Sequence, residues 1–463
     1  MTKFGPYLYT DDKGVLHIEG VSTTELAEQY GTPLFVFSEN TLRDNFRTIR
    51  EAFERHYAGE TIVCAGMKAN WGLATRAIIA QEGGGGDAFG VGELSVASMA
   101  GTDLNKVVMN GANKSEEAIT AAIDSSVLIN VDNLDELDDV NRIAEELGKK
   151  ARITIRIRLP LNNCETGELF FDPRYPAGIS PQYWERTFKF GLEPQSFFIA
   201  VERALAHQDT LSLEGVMYHG GLPRRAGKYF EETQELIETI AEVWKRYKFE
   251  LKYLDIGGGF VPARYGAENT PPTPDDYAIA INKAIVPVCE QNGIKPPILL
   301  IEPGRFCFDS ACIWLSRVGN IKEDRNLADK KWVFVDGNTN DTKDPFDPYN
   351  RVRHIVIAND ADRAGSDHVD ICGQLCSADD IVTKDCDFLP PLKSGDLLAY
   401  LDMGAYNESY SCQANANNRS ATVMVKGDRS AVVRRRETVA DVLSRELLPS
   451  WLIDNRVSSK KEA

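Results

Sequence analysis

The hydrophobic positions of this chain form short apolar runs, which alternate with longer stretches of mixed apolar and polar residues. The runs have the length of β-strands, and the longer stretches space their apolar residues as amphipathic helices do. We predict strands at residues 34–37, 61–65, 86–90, 107–110, 127–131, 153–159, 213–218, 253–256 and 298–302. Helices are predicted at residues 38–56, 73–81, 116–125, 134–147, 230–247 and 274–292. Alternation repeated about eight times predicts a TIM-like parallel (β/α)8 barrel, with an open doubly wound sheet as the second choice.

The pattern changes after about residue 311, where strands follow one another with turn residues between them. Strands are predicted there at residues 311–318, 331–335, 354–357, 397–401, 421–426 and 430–435. The first 30 residues are also strand-like and could pair with this region. We therefore predict an α/β barrel over residues 31–311 and a β-rich domain, a β-barrel or sandwich, built from residues 1–30 and 312–463.

Composition narrows the classes of partner and compartment. The 52 Lys and Arg residues against 69 Asp and Glu residues give a net charge of −17, which argues against nucleic acid and anionic membrane surfaces as partners. The nine cysteines show no Cys-x-x-Cys spacing and form no metal-binding pattern with the six histidines. We expect no bound metal and a cytoplasmic protein. No apolar run is long enough for a membrane span, and no signal peptide is recognised.

Five candidate sites follow predicted strands, at the end of a parallel barrel where chemistry takes place. Each has an ordinary structural explanation, since a lysine is most often a surface residue, a glycine run a turn and a histidine a core residue. Together with a late cysteine they offer an amine, a glycine turn, a carboxylate and a thiol, which suggest pyridoxal phosphate (PLP) chemistry. The residues are Lys68, Asp87, His219, the run Gly257, Gly258 and Gly259, the Glu-Pro-Gly-Arg motif with Glu302, Gly304 and Arg305, and Cys376.

In this order, the motifs resemble those of the alanine-racemase-like PLP decarboxylases, the family of diaminopimelate decarboxylase and ornithine decarboxylase. The resemblance runs from about residue 32 to residue 439. It implies that Lys68 holds PLP as a Schiff base, that His219 stacks on the cofactor ring and that Glu302 pairs with the pyridine nitrogen. The other cofactor-binding residues that it implies are Asp87, Gly257, Gly258, Gly259, Gly304, Arg305 and Tyr406.

The resemblance further implies a homodimer with shared active sites. Cys376 would be the proton donor, supplied by the neighbouring subunit. A small amino acid would be the substrate, and the residues expected to contact it are Arg305, Asp344, Ser377 and Tyr406.

Three positions depart from the family pattern. Leu222 stands where a phosphate-binding serine is usual, Asp344 where diaminopimelate decarboxylases have an arginine, and Ser377 where a glutamate or aspartate is usual. An acid in place of a guanidinium reverses the charge preferred at the far end of the substrate. Asp344, Asp347 or Asp379 could receive a distal ammonium or guanidinium there, or they could be solvated loop residues.

The function expected from these observations is PLP-dependent removal of the α-carboxylate of an amino acid, with altered distal binding residues and a possible place in specialised metabolism. Glu302 favours decarboxylation, because racemases of this fold place an arginine at the ring nitrogen. Racemisation or other PLP chemistry is one alternative, and a non-catalytic homologue is another. A nicotinamide dehydrogenase is excluded, because residues 254–260 lack the Gly-x-Gly-x-x-Gly register.

Overall fold

The structure, a computed structural model, describes residues 2–159, 189–220, 225–265, 270–324, 326, 330–345 and 353–452. Leu222 and Asp347, two of the positions singled out above, lie outside the described residues. Within the described ranges, no helix is long and apolar enough to cross a membrane. In the same ranges, no group of three or more His, Cys, Asp or Glu side chains is placed to hold a metal ion.

The strands are, in chain order, β1 (Lys3–Gly5), β2 (Leu8–Thr10), β3 (Leu16–Ile18), β4 (Val21–Ser22), β5 (Leu34–Ser38), β6 (Thr61–Gly66), β7 (Gly85–Ala88), β8 (Val107–Met109), β9 (Leu128–Val131), β10 (Ala151–Arg156), β11 (Leu211–Met217), β12 (Tyr253–Asp255), β13 (Ile298–Ile301), β14 (Cys312–Asp324), β15 (Lys330–Val335), β16 (Ile355–Ile357), β17 (Val369–Cys372), β18 (Ile381–Cys386), β19 (Leu397–Tyr400), β20 (Ala421–Lys426) and β21 (Arg429–Arg434). The α-helices span Thr23–Tyr30, Glu39–His56, Leu73–Gln81, Val91–Met99, Glu116–Asp124, Leu134–Leu147, Pro194–Ala206, Ala226–Tyr247, Pro274–Asn292, Arg305–Phe308 and Val439–Val442.

Strands β6 to β13 form a closed barrel in which every neighbouring pair is parallel, and β13 pairs with β6 to close it. The predicted barrel is confirmed. Its strands are apolar and buried, as expected where helices cover the outside and side chains fill the inside. All eight strands point the same way, so the residues that follow them meet at one end of the barrel.

The helices begin where the sequence offers caps. The hydroxyl of Ser38 accepts the N–H of Thr41 at the start of Glu39–His56, and Ser115 caps Glu116–Asp124 in the same way. Such a bond satisfies an amide that would otherwise lack a partner. Helix Glu39–His56 then buries one apolar face, which includes Phe46.

Strand β5 differs from its expected position. The sequence placed it first in the barrel segment, but it pairs with β14 antiparallel and with β20 parallel, in a second sheet. Its two faces are both buried, Phe35 and Phe37 in the large core shared with the barrel, and Leu34 and Val36 in a separate core. An apolar strand buried on both faces looks the same in either sheet, so periodicity could not decide between them.

The second sheet has the order β18-β17-β15-β14-β5-β20-β21, with β19 also paired to β14 and β16 paired to β19. Strands β1 to β4 form a small antiparallel sheet of their own. The amino-terminal strands are joined to the later segment by single hydrogen bonds, for example from the N–H of Leu16 to the carbonyl of Ala358 at 2.8 Å. A β-rich part built from both chain ends is thus confirmed, although the first strands do not extend the larger sheet.

Candidate active site

Lys68 lies in the turn that follows β6, at the barrel end where the strands terminate. It is exposed, whereas its neighbours in the turn are buried. The N–H of Met67 donates to Oδ1 of Asp87 at 2.5 Å, and the N–H of Gly66 donates to the carbonyl of Pro303 at 3.1 Å. These bonds tie the lysine turn to the ends of the two strands beside it, β7 and β13.

The connection between β19 and β20 of the second sheet also binds the lysine turn. The hydroxyl of Ser409 donates to the carbonyls of Lys68 at 3.2 Å and Ala69 at 2.9 Å. The N–H of Tyr406 also donates to the carbonyl of Ala69 at 2.9 Å. The Nζ of Lys68 lies 5.8 Å from the centroid of the Tyr406 ring. The structure therefore brings together two predicted residues that are far apart in the sequence.

Three buried carboxyl groups lie next to one another at this barrel end: Asp87, Asp255 and Glu302. Burial raises the pKa of Asp87 and of Asp255 well above the ordinary value, and repulsion from Glu302 raises both further. Burial also raises the pKa of Glu302, against the opposing effects of a hydrogen bond from Asn110 and the positive charge of Arg156. Perturbed, mutually interacting carboxyl groups are typical of functional sites.

A line of polar side chains crosses the barrel towards Glu302. The hydroxyl of Thr154 donates to Oδ1 of Asn130 at 3.2 Å, and the amide of Asn130 donates to Oδ1 of Asn110 at 2.7 Å. The amide of Asn110 donates in turn to Oε1 of Glu302 at 2.7 Å. Sequence reasoning missed Asn110, Asn130 and Asp255. The available signal was a single polar residue within an apolar strand, for Asn130, or at its end, for Asn110 and Asp255.

The glycine run after β12 forms a turn that tolerates no side chain. Gly257 and Gly259 have φ angles of +67° and +105°, in the region that favours glycine. A Cβ on Gly257 would lie 2.6 Å from Cγ of His219, and one on Gly258 would lie 2.4 Å from the carbonyl oxygen of Glu302. The turn therefore packs directly against two other predicted site residues, His219 and Glu302.

Arg305 and Asp344 form a direct ion pair. Nη1 and Nη2 of Arg305 donate to the two carboxylate oxygens of Asp344 at 2.8 and 2.9 Å. Nη2 of Arg353 donates to the same carboxylate at 2.8 Å. The Asp344 side chain is 0% exposed. Two guanidinium groups thus bind the carboxylate of Asp344 and no solvent reaches it, so Asp344 is not a solvated loop residue. Direct contact between Asp344 and a substrate stays a prediction.

Arg305 also faces Tyr406, since its Cζ lies 4.5 Å from the centroid of the tyrosine ring. Gly304 is closely approached by the same residue, and a Cβ there would lie 2.9 Å from the Tyr406 hydroxyl. Burial raises the pKa of Tyr406, and the positive charge of Arg305 opposes this rise. Tyr410, whose ring centroid is 6.0 Å from that of Tyr406, is a further aromatic residue at the site that sequence reasoning missed.

Cys376 and Ser377 lie on an exposed loop of the second sheet. The N–H of Cys376 donates to Oδ1 of Asn415 at 3.2 Å, and the buried carboxylate of Asp380 accepts the N–H of Leu375 at 2.6 Å. For the residues that the structure describes, no hydrogen bond or ion pair joins Cys376 or Ser377 to the barrel end around Lys68. No polar contact among the described residues therefore links these two predicted site residues to the others within one chain.

The barrel end has the groups that pyridoxal phosphate requires. Lys68 supplies an exposed amine beside the buried carboxyl groups. The run Gly257 to Gly259 supplies a turn without side chains at this barrel end, and main-chain N–H groups of such turns can bind phosphate oxygens. Glu302 is a buried carboxyl group with an amide donor already in place. The residues present therefore fit this cofactor.

Comparison with known proteins agrees with this geometry. Residues 39–309 match the family model described as the pyridoxal binding domain of pyridoxal-dependent decarboxylases. The diaminopimelate decarboxylase of Archaeoglobus fulgidus is 32% identical over 96% of this chain and 100% of that protein. That of Aquifex aeolicus is also 32% identical, over 94% of this chain and 96% of its own length.

Solved structures show the same fold. The crystal structure of diaminopimelate decarboxylase from M. jannaschii in complex with L-lysine superposes with a TM-score of 0.84 at 30% identity, covering 96% of this chain and 99% of that chain. Similarity over nearly the full length confirms the resemblance inferred from the motifs. The chain belongs to the pyridoxal-dependent decarboxylase family, and its cofactor is pyridoxal phosphate.

Proposed function

We propose that this enzyme removes the α-carboxylate of an amino acid at the barrel end that carries Lys68 and Glu302. The observation that carries the proposal is the convergence of an amine, buried carboxyl groups and a side-chain-free glycine turn at one end of one barrel. When bound, PLP supplies an electron sink for the electron pair left by the departing carbon dioxide. The other roles belong to residues of this chain.

Lys68 would hold the cofactor covalently through its amine. Two features support this assignment. The lysine is exposed in a turn whose main chain is fixed by Asp87 on one side and by Ser409 on the other. A fixed backbone limits the positions that the amine can reach, which favours one orientation of the bound aldehyde.

Glu302 would pair with the ring nitrogen and keep it protonated. The hydrogen bond from Asn110 supports this role, because it favours the ionised form of a carboxyl group whose burial favours the neutral form. A carboxylate at this place strengthens the electron sink, which is the property that decarboxylation needs. Asp87 would position the turn that carries Lys68, because its carboxyl group accepts the N–H of Met67.

Gly257, Gly258 and Gly259 would bind the phosphate through their main chain, and His219, which packs on this turn, would stack on the cofactor ring. Gly304, Arg305 and Tyr406 would complete the wall of the site beyond the lysine. Support comes from the close approach of Gly304 to Tyr406 and of Arg305 to the same ring.

Cys376 would deliver a proton to the substrate carbon, with Ser377 beside the distal end of the substrate. Because both residues lie on an exposed loop apart from Lys68, we propose that they act in the site of a second copy of the chain. This requires a homodimer with shared active sites. The division into a barrel over residues 31–311 and a β-rich domain, and the cytoplasmic location, remain predictions from the sequence.

The experiment is an absorption spectrum of the purified protein with PLP, followed by a panel of amino acids with carbon dioxide monitored. The panel contains L-lysine, meso-diaminopimelate, both enantiomers of ornithine and several neutral amino acids. Release of carbon dioxide from one of them supports the proposal. Loss of optical activity without carbon dioxide would favour a racemase, and absence of any cofactor absorbance would favour a non-catalytic homologue.

A further inference from the structure

The guanidinium of Arg305 and the amine of Lys68 both lie near the ring of Tyr406. Its Cζ lies 4.5 Å from the Tyr406 ring centroid, and the Nζ of Lys68 lies 5.8 Å from the same centroid. The amine and the guanidinium carbon are therefore at most about 10 Å apart, the sum of these two distances. Arg305 is thus within reach of the far end of an amino acid whose α-amine is at Lys68.

The positive charge of the Arg305 guanidinium is compensated by the carboxylate of Asp344. Asp344 accepts two hydrogen bonds from Arg305, in the bidentate geometry that gives the strongest carboxylate–arginine pairs. Both groups are shielded from water, with the Arg305 side chain 11% exposed and Asp344 0% exposed. Shielding from solvent strengthens the interaction between the two charges, so the aspartate strongly reduces the positive potential at Arg305.

Among the described residues, further arginine and aspartate side chains are linked to this ion pair. Arg353 shares the carboxylate of Asp344, and the carboxylate of Asp309 lies 2.7 Å from Arg264 and 3.7 Å from Arg305. The buried Asp402 interacts electrostatically with Arg264, Asp309 and Arg353. The group made of Arg264, Arg305, Arg353, Asp309, Asp344 and Asp402 contains three positive and three negative side chains and is formally neutral.

We propose that Asp344 is a specificity-determining residue that acts through Arg305: it neutralises the guanidinium and thereby disfavours substrates with a second carboxylate at their far end. The inference rests on the proposed function and narrows its substrate class to amino acids with a single carboxylate. A distal carboxylate would meet a guanidinium whose charge is already compensated by the Asp344 carboxylate, which is hydrogen-bonded to it. Such repulsion against a competing ligand is a means of specificity as effective as attraction to the right one.

The test compares wild type with Asp344→Asn, which removes the charge and keeps the shape, and with Asp344→Glu, which keeps the charge. The ratio of kcat/KM for meso-diaminopimelate to that for L-lysine is measured in each. We expect Asp344→Asn to raise this ratio about tenfold or more, mainly through a lower KM for diaminopimelate, in the range of one charge-assisted hydrogen bond. Asp344→Glu should retain the wild-type ratio. A merely structural role would change both substrates equally.

A binding measurement keeps the inference separate from the decarboxylation it rests on. Titration calorimetry with pimelate, a dicarboxylate without an amine, is compared with heptanoate, the monocarboxylate of equal length. Asp344→Asn should bind pimelate about tenfold more tightly than wild type does, with heptanoate unchanged. This result can be obtained even if no amino acid is decarboxylated, in which case the proposed function alone would fail.

A second variant covers the case in which Asp344→Asn does not fold. The double variant Asp344→Asn with Arg353→Met removes one charge of each sign and still frees Arg305 from its aspartate. It should show the same shift towards the dicarboxylates, with folding checked by circular dichroism. The inference is overturned if wild type prefers diaminopimelate to L-lysine, or if the folded variants bind pimelate no better than wild type.

Discussion

The side-chain amide of Asn110 donates a 2.7 Å hydrogen bond to Oε1 of Glu302, across the interior of the barrel. Asn110 cannot rotate freely, because its own oxygen accepts the amide of Asn130. The donor is thereby directed at the carboxylate. Burial raises the pKa of Glu302 and this hydrogen bond opposes the rise, so Asn110 helps to keep the charged form available inside the barrel.

Replacing Asn110 by leucine tests this relationship. Without the donor, the pKa of Glu302 rises further, so the carboxylate is lost at a higher pH on acidification. If activity requires the charged form, the acidic limb of the pH profile of kcat should move to higher pH by about one unit, so the rate at a pH on that limb should fall about tenfold. Asn105→Leu, at an exposed site, is the control. An unchanged acidic limb in Asn110→Leu would contradict the prediction.

Lys68→Ala should abolish covalent retention of the cofactor. The amine is the group in this turn that can bond to the cofactor aldehyde, and alanine has none. After borohydride reduction in the presence of PLP, wild type should gain the mass of the cofactor on the peptide that contains Lys68, and the variant should not. Lys150→Ala, an exposed lysine, serves as the matched control. If Lys68→Ala keeps its activity and carries the cofactor on another lysine, the assignment of Lys68 is wrong.

Gly258→Ala should weaken cofactor binding. The added Cβ would lie 2.4 Å from the carbonyl oxygen of Glu302, and this oxygen belongs to the backbone and cannot turn away. Moving the turn costs about 1–3 kcal/mol, so we expect the Kd for PLP to rise about tenfold or more. Gly227→Ala lies in a helix with open space around it and should leave the Kd unchanged. Equal affinities in the two variants would argue against a phosphate-binding turn.

The sequence was sufficient to predict which residues the fold brings to one end of the barrel. Lys68, His219 and Glu302 each follow an apolar strand, and Asp87 lies near the end of β7. A closed parallel barrel brings all such positions to one end whatever the details of packing. The glycine run could be assigned for the same reason. These predictions depend only on strand order and direction, which the alternation of strands and helices determines.

The pairing of charged side chains could not be predicted. Asp344 and Arg305 are 39 residues apart, and the ion pair depends on how a loop of the second sheet lies against the barrel end. A motif comparison shows that an arginine has become an aspartate, but it does not show that the new acid is buried. The sheet to which β5 belongs could not be predicted for a related reason, because an apolar strand buried on both faces fits either sheet.

Asp402 gives a prediction about stability rather than activity. Burial raises its pKa to about 6, against opposing interactions with Arg264 and Arg353. Its ordinary pKa is 3.8, so between pH 4 and 6 the folded chain binds a proton that the unfolded chain has lost. The free energy of unfolding therefore decreases as pH rises through this window.

Asp402→Asn should remove this contribution, which is about 1–3 kcal/mol. Asparagine also suits the φ of +58° at this position. Urea midpoints at pH 4.5 and 7.0 should show that wild type loses more stability than the variant between the two values. Asp428→Asn, at an exposed position, should behave as wild type does. A steeper loss in Asp402→Asn would mean that the charged form is stabilised by its arginine neighbours.

Cys376 provides a test of the shared site. On its own, Cys376→Ala should retain PLP and lose about 10²–10⁴ in turnover, the range for loss of a general acid. If the thiol acts in the site of a second copy, mixing this variant with Lys68→Ala should restore activity. Half of the randomly formed dimers would then be mixed. Each mixed dimer has one site with both an intact lysine and an intact cysteine, so about one quarter of wild-type activity should return.

Recovery requires subunit exchange, which mild denaturation and refolding of the mixture provides. Cys412→Ala in place of Cys376→Ala is the control for loss of a neighbouring thiol. No recovery in a mixture shown by mass spectrometry to contain mixed dimers would place the thiol and the lysine of each site in one chain.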